Sequence, residues 1–270
     1  MYAFDIERPT SLADAKALLA GEAQALGGGQ TLIPTLKQRL ADPGTLVCLS
    51  GIAEMKGVTS GPDGVAIGGG TTHAEAAEGL KDAIPGLAYL ASRIGDPAVR
   101  NRGTIGGSLA NDDPSACWPA GALGLGATIV TDAREIAADD FFQGMFTTAL
   151  EDGEIVTAVR FPVPEASAYS KMIQPASRFP LVAAFVARFP DGVRVAITGA
   201  SEDGVFRWRE AEGALSADFS PEVVTGQPEG PMIADLHGTA DYRRHLCAVM
   251  TRRAVRAALD GTGGLSSAGA

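Results

Sequence analysis

Three glycine runs flanked by hydroxyl side chains carry the densest chemical signal in the chain: GGGQT at 27–31, GGGTT at 68–72 and TIGGS at 104–108. Glycine removes the Cβ that would hold a ligand away from the main chain, so backbone N–H groups can point at phosphate oxygens, and threonine and serine beside them add donors. A bulky anionic cofactor such as a dinucleotide can be gripped this way with few basic side chains. The runs do not follow the common nucleotide fingerprints. GGGQTLIP lacks the third glycine of the Rossmann pattern, IGGGTTH has His73 where that glycine belongs, and no GxxxxGK[ST] occurs. One such run alone is most simply a strand-to-helix turn, a reading that three runs with flanking hydroxyls weaken. Arg100 and Arg102 stand just before the third run. Their guanidinium forks are expected to tie loop carbonyls or nearby carboxylates into one shape rather than to bind phosphate directly.

Metal and acid–base chemistry has little support. Cys48, Cys117 and Cys247 are too far apart in sequence for metal-ligand spacing or an iron–sulfur cluster, and His73, His237 and His245 form no recognisable pair. No metal is expected in this chain.

The elements that must position the loops follow from periodicity and punctuation. A helix is expected from Thr10 to about Ala20, capped by Ser11, with Leu12, Ala15, Leu18 and Leu19 on its apolar face. The first run leads from a short strand into a helix containing Leu36 and Leu40, whose start Pro34 is expected to limit. TLVCLSGI at 45–52 favours a strand, so residues 1–56 read as a βαβ-type unit. GVAIGGGTTHAEAAEG repeats the order of strand, glycines and helix, with Thr71 or Thr72 available as cap, and GEIVTAVRFPVP at 153–164 is a strand ended by prolines. A boundary is placed near Glu165. Beyond it LVAAFVARF and GVRVAITGA read as antiparallel strands joined by a turn at Pro190–Gly192, and a long helix runs from Asp241 to about Asp260. On that helix Tyr242, Leu246, Val249 and Arg253 fall on one face, which would make Arg253 a paired or interface arginine unless it snorkels to water. Four segments result: 1–56, 57–165, 166–260, and a tail at 261–270 expected to be flexible.

Composition narrows the function classes. With 46% hydrophobic and 20% charged residues the chain is an ordinary globular one, and its 34 glycines and 16 prolines imply many turns between short elements of a mixed α/β architecture. A net charge of −10 repels a nucleic-acid backbone, and no basic patch in the first 200 residues overrides it. The apolar run LVAAFVA at 181–187 is far short of the roughly 20 residues of a membrane span. MYAFDIERPT lacks the basic-then-apolar grammar of a secretory signal, so a cytoplasmic location is expected.

LGGGQTLIPTLKQRLADPGTLVCLSGI and IGDPAVRNRGTIGGSLANDDPSACWPA resemble the two flavin loops of the FAD-binding middle subunit of molybdenum hydroxylases, the family of aerobic carbon monoxide dehydrogenase and xanthine dehydrogenase. DFFQGMFTTALEDGEIVTAVRFPVP, AYSKMIQPASRFPLVAAFVA and DYRRHLCAVMTRRAVRAAL are similar to later blocks of that family in the same order. The resemblance implies an α+β fold: a vanillyl-alcohol-oxidase-type FAD domain in two subdomains, plus a C-terminal α+β domain with an antiparallel sheet. It implies that Gly27, Gly28, Gly29, Gln30, Thr31 and Leu32 embrace the FAD pyrophosphate. Thr104, Ile105, Gly106, Gly107 and Ser108 would form a second wall, with Ala110 nearby. Lys171 matches a family lysine beside the flavin ring, where its charge favours an anionic reduced flavin. One departure stands out: the family usually carries an acid for the FAD hydroxyls where this chain has Cys117, and Asp112 or Asp113 is near enough to substitute, Asp113 being taken as the site residue. Flavoenzymes of the broader fold that attach FAD covalently often use a histidine where this chain has Gln30, so FAD is expected to be held non-covalently.

The function implied is electron transfer within a multi-subunit oxidoreductase. Electrons would come from a [2Fe–2S] subunit, fed by a molybdopterin-containing large subunit, and leave for an external acceptor. Two other readings remain open: a stand-alone flavin oxidase or reductase of the same fold, and a cofactor-free interaction subunit.

Overall fold

The computed structural model describes residues 1–19 and 21–264. Its N-terminal unit is a parallel three-stranded sheet in which Thr45–Cys48 lies between Asp5–Glu7 and Ala23–Leu26. Parallel neighbours require crossovers, and the helices Leu12–Leu18 and Leu32–Lys37 supply them. Ser11 caps the first helix by accepting the Asp14 N–H at 3.1 Å. The second differs from expectation. Pro34 lies inside its first turn, where the missing N–H has no intrahelical partner to lose, so the proline does not delay the helix. Leu40 falls beyond its end and is exposed.

The middle unit is a five-stranded antiparallel sheet in the order Val58–Gly61, Gly64–Gly68, Val156–Phe161, Thr128–Thr131, Glu135–Ala137. Its central strand is the last to arrive in sequence, so the whole segment must be in place before the sheet is complete. The second glycine run turns Gly64–Gly68 into the helix His73–Gly79. Of the two candidate caps, Thr72 serves, in a reciprocal capping box with Glu75. Thr71 is buried instead, with its hydroxyl accepting the Gly57 N–H and donating to the Gly57 carbonyl.

The C-terminal unit is a four-stranded antiparallel sheet, Ala166–Ile173, Pro180–Phe189, Gly192–Ser201 and Gly204–Arg207, with the expected tight turn joining its two longest strands. Strand alternation divides its residues between two cores. Ala183, Phe185 and Ala187 face the core of the middle unit, while Val182, Ala184 and Val186 face the helices Arg209–Ala217 and Ala240–Leu259. One hydrophobic core thus runs across the boundary near Glu165, which explains why nearly all of Pro180–Phe189 is buried on both faces.

Two expectations for the C-terminal helix are corrected. Leu246 of the expected face is buried, but Tyr242 is exposed and Val249 and Arg253 are half-buried; the buried face centres on Arg243, Cys247, Met250, Ala254 and Ala257, turned by about 100°. Arg253 is half-buried and forms no ion pair among the described residues. The buried arginine is Arg243, which donates to the carbonyls of Leu181 and Gly199 and to Asp235, each at 2.7 Å. The tail also differs from expectation: Gly263 accepts the Tyr169 N–H at 3.0 Å, anchoring residues 261–264, while 265–270 lie outside the described residues.

Candidate cofactor site

A cavity of about 560 Å³ opens where the three units meet. Gly27, Gly28, Gly29, Gln30, Thr31 and Leu32 line it from the N-terminal unit; Thr104, Gly106, Gly107, Ser108, Ala110 and Asp113 from the middle unit; Lys171 from the C-terminal sheet. Ile105 is the exception among the expected site residues. Its side chain is fully buried in the core, and its N–H is taken by the Thr71 carbonyl at 3.1 Å.

The two walls offer different chemistry. Among the described residues, no acceptor takes the consecutive N–H groups of Gly28, Gly29, Gln30, Thr31 and Leu32. Unpaired main-chain donors on the wall of a cavity can serve as an anion cradle. On the second wall the amides are already occupied: Gly106 donates to the Gly69 carbonyl at 2.9 Å, Gly107 to Thr104 Oγ1 at 3.2 Å, and Ser108 to the Thr104 carbonyl at 3.0 Å. That wall presents hydroxyls and bare glycine surface, not N–H groups.

Close backbone contact holds the walls together. A Cβ on Gly28 would fall 1.9 Å from the Arg102 carbonyl oxygen, so the first glycine run touches the segment leading into the third main chain to main chain. A Cβ on Gly107 would instead meet only Thr104 Oγ1, at 3.0 Å, and otherwise project into the cavity. Of the two expected supporting arginines only Arg100 acts through its side chain, whose Nη1 donates to the carbonyls of Ile94 and Gly95 at 3.0 Å each. Asp96 caps the intervening turn through the Val99 N–H. The Arg102 side chain is exposed with no ion pair among the described residues; its contribution is its carbonyl against Gly28.

At the other end of the cavity Lys171 Nζ donates to the Arg93 carbonyl at 2.9 Å and lies 3.5 Å from Cys117 Sγ. Its partners are neutral, so its charge is uncompensated by any carboxylate among the described residues. Cys117 itself lines the cavity. The Tyr169 hydroxyl is buried beside Cys117, and burial first, then Cys117, push its ionisation well above the usual phenol range.

The two adjacent aspartates part company. Asp113 lines the cavity and accepts the Ser115 N–H at 2.8 Å. Asp112 is absent from the cavity wall: it ends the helix Ile105–Asn111 at φ +41°, with both carboxyl oxygens buried and unpaired. Burial, reinforced by Asp113, pushes its pKa up to about 7.

Three groups on the wall escaped the sequence analysis as ligand contacts. His73 enters the sequence reading as the break in the Rossmann spacing and as one of three histidines that form no pair, and Arg178 and Phe179 end a turn in which the Arg178 N–H donates to the Gln174 carbonyl. The glycine run before His73 was the available signal for the first; nothing in the local pattern marked the other two.

The cradle, its size and its position between three units fit a dinucleotide. A family model described as the FAD binding domain in molybdopterin dehydrogenase matches residues 2–164. The chain belongs to this family. FAD is accordingly the cofactor of this flavoprotein, which is an oxidoreductase component. The carbon monoxide dehydrogenase medium chain of Afipia carboxidovorans is 36% identical over 94% of this chain and 96% of its own. The glyceraldehyde dehydrogenase medium chain of Sulfolobus acidocaldarius is 32% identical over 94% of this chain and 97% of its own. In a solved structure of reconstituted CO dehydrogenase from Oligotropha carboxidovorans, a chain 32% identical superposes with a TM-score of 0.89, covering 96% of this flavoprotein and 99% of that chain. These matches place the flavoprotein among medium subunits of the molybdenum hydroxylases, with the α+β fold of that group. Among the described residues no helix is long and apolar enough to cross a membrane, and no group of three His, Cys, Asp or Glu side chains is placed to hold a metal ion.

Proposed function

We propose that this flavoprotein is the electron-transfer subunit of a molybdenum hydroxylase complex, taking electrons from a [2Fe–2S] subunit supplied by a molybdopterin-containing large subunit and passing them to an external acceptor. The observation that carries this reading is the row of unpaired amides from Gly28 to Leu32 on the wall of a cavity large enough for a dinucleotide. The segments 1–56 and 57–165 then serve as the two flavin-binding subdomains, and 166–260 as the domain that closes the cavity through Lys171.

FAD supplies reversible two-electron and one-electron chemistry when bound. The residues of the chain do the rest. Gly28 to Leu32 would donate to the diphosphate, and Thr104, Ser108 and Asp113 would offer polar groups to the sugar and ribityl hydroxyls. Gly107 and Ala110 would keep the second wall low enough for close approach, while Gly27 and Gly106 let the loops pack against Thr104 and Gly69. Lys171 holds a positive charge at the far end, where Arg93 fixes its position and Cys117 leaves its charge unneutralised, so added negative charge is stabilised there.

The test is affinity purification of the tagged flavoprotein from its native cells. Co-purification of a chain with bound iron and inorganic sulfide, and reduction of the flavin through that chain, is the expected outcome. A yellow protein that purifies without such a partner and turns over an organic substrate by itself overturns the reading.

A further inference from the structure

His73 is only 5% exposed, yet its ring lines the cavity. Trp118 Nε1–H donates to His73 Nδ1 at 2.9 Å. Nδ1 is therefore an acceptor, and in the neutral ring the proton sits on Nε2. The neutral form is the one the fold holds, because burial and then the charge of Arg100 lower the imidazole pKa to about 4. Among the described residues Nε2–H has no acceptor.

The place of that unused donor is defined by two glycines. A Cβ on Gly103 would fall 2.6 Å from His73 Nε2, and a Cβ on Gly28 would fall 2.6 Å from the Gly103 Cα. Gly103 thus lies between the imidazole edge and Gly28, and His73 shares the cavity wall with the loop whose amides, from Gly28 to Leu32, are also unpaired. That N–H is left free at the cavity surface, where a ligand can supply its acceptor. The Trp118 hydrogen bond holds the tautomer that keeps this donor available.

We propose that His73 is a binding residue for the diphosphate of the cofactor, its Nε2–H donating to a phosphate oxygen cradled by Gly28–Leu32. This rests on the FAD reading above. It gives Trp118, fully buried in the core, a positioning role: it selects the tautomer without touching the ligand.

Two substitutions separate ligand contact from packing. His73→Asn places an acceptor oxygen near the Nδ1 position for Trp118 and deletes the Nε2 donor, whereas His73→Gln places an amide N–H near the Nε2 position and gives up the acceptor for Trp118. Titration of deflavinated protein with FAD, followed by quenching of flavin fluorescence, should show His73→Asn weakened about 10-fold, as for loss of a hydrogen bond to a charged group. His73→Gln should stay within about 3-fold of the unaltered protein. On the unaltered chain with ¹⁵N-labelled histidine, the Nε2–H proton should move downfield as FAD saturates the site, a readout that does not depend on either variant folding. Equal FAD affinity for His73→Asn and the unaltered protein, or an Nε2–H proton that stays in place at saturation, overturns the assignment. Failure of the unaltered protein to bind FAD would instead overturn the functional reading.

Discussion

Gly28 and Arg102 meet main chain to main chain: the glycine has room for hydrogen only, because a Cβ would lie 1.9 Å from the arginine carbonyl oxygen. Two cofactor loops from different units are thereby locked together before any ligand arrives. Gly107, three residues beyond Thr104, carries the opposite kind of constraint, with open cavity in front of it.

Gly28→Ala and Gly107→Val are therefore expected to fail in different ways. Gly28→Ala forces backbone apart and should destabilise the fold by about 2 kcal/mol or more, lowering the unfolding midpoint even without FAD. Gly107→Val should fold with a nearly unchanged midpoint but purify colourless, its branched side chain standing in the cofactor space. Stoichiometric FAD in folded Gly107→Val would show that the cofactor does not pass over this wall.

Lys171→Gln keeps a hydrogen-bond donor for the Arg93 carbonyl while deleting the charge. If the ammonium stabilises the reduced cofactor by about 1.4 kcal/mol, the two-electron midpoint potential of bound FAD falls by about 30 mV. Spectroelectrochemical titration of the variant measures this. An unchanged potential would place the flavin ring away from Lys171.

Asp112 gives a pH dependence of definite sign. Its pKa is about 7 folded against 3.8 for the ordinary group, so its protonated form suits the fold. Stability from this group is fully present below pH 3.8 and is lost as pH rises through 7. Asp112→Asn, which cannot ionise, should gain about 2 to 3 kcal/mol relative to the unaltered protein on going from pH 5 to pH 8. Urea unfolding at the two pH values checks it; a variant effect that is the same at both would mean that Asp112 finds a partner when ionised.

FAD release should be complete under acid. Gln30 stands beside the first glycine loop, with its amide nitrogen donating to the Gly28 carbonyl at 3.2 Å, and a carboxamide nitrogen is not nucleophilic. Trichloroacetic acid precipitation should leave all yellow colour in the supernatant. Colour in the pellet, or a peptide heavier by one flavin, would establish a covalent link.

Local chemistry was legible in the residues themselves. Ser11 caps as expected, the strand Gly64–Gly68 passes through its glycines into a Thr72-capped helix, and the Pro190–Gly192 turn joins two long strands, because each depends on groups only a few residues apart. The glycine runs that line the cavity were legible as well, since glycine and hydroxyl runs announce close backbone approach wherever they fold. Tertiary structure alone decided the rest. Periodicity gives the spacing of a helix face but not its phase, so Arg243 and not Arg253 became the buried arginine once the sheet chose which side of Ala240–Leu259 to cover. Contact between units decided that the first loop keeps its amides free while the second spends them on Thr71, Gly69 and Thr104. It also brought Cys117 to Lys171, 54 residues apart, and Trp118 to His73, 45 apart, pairings that no local pattern encodes because they exist only where separate elements press together.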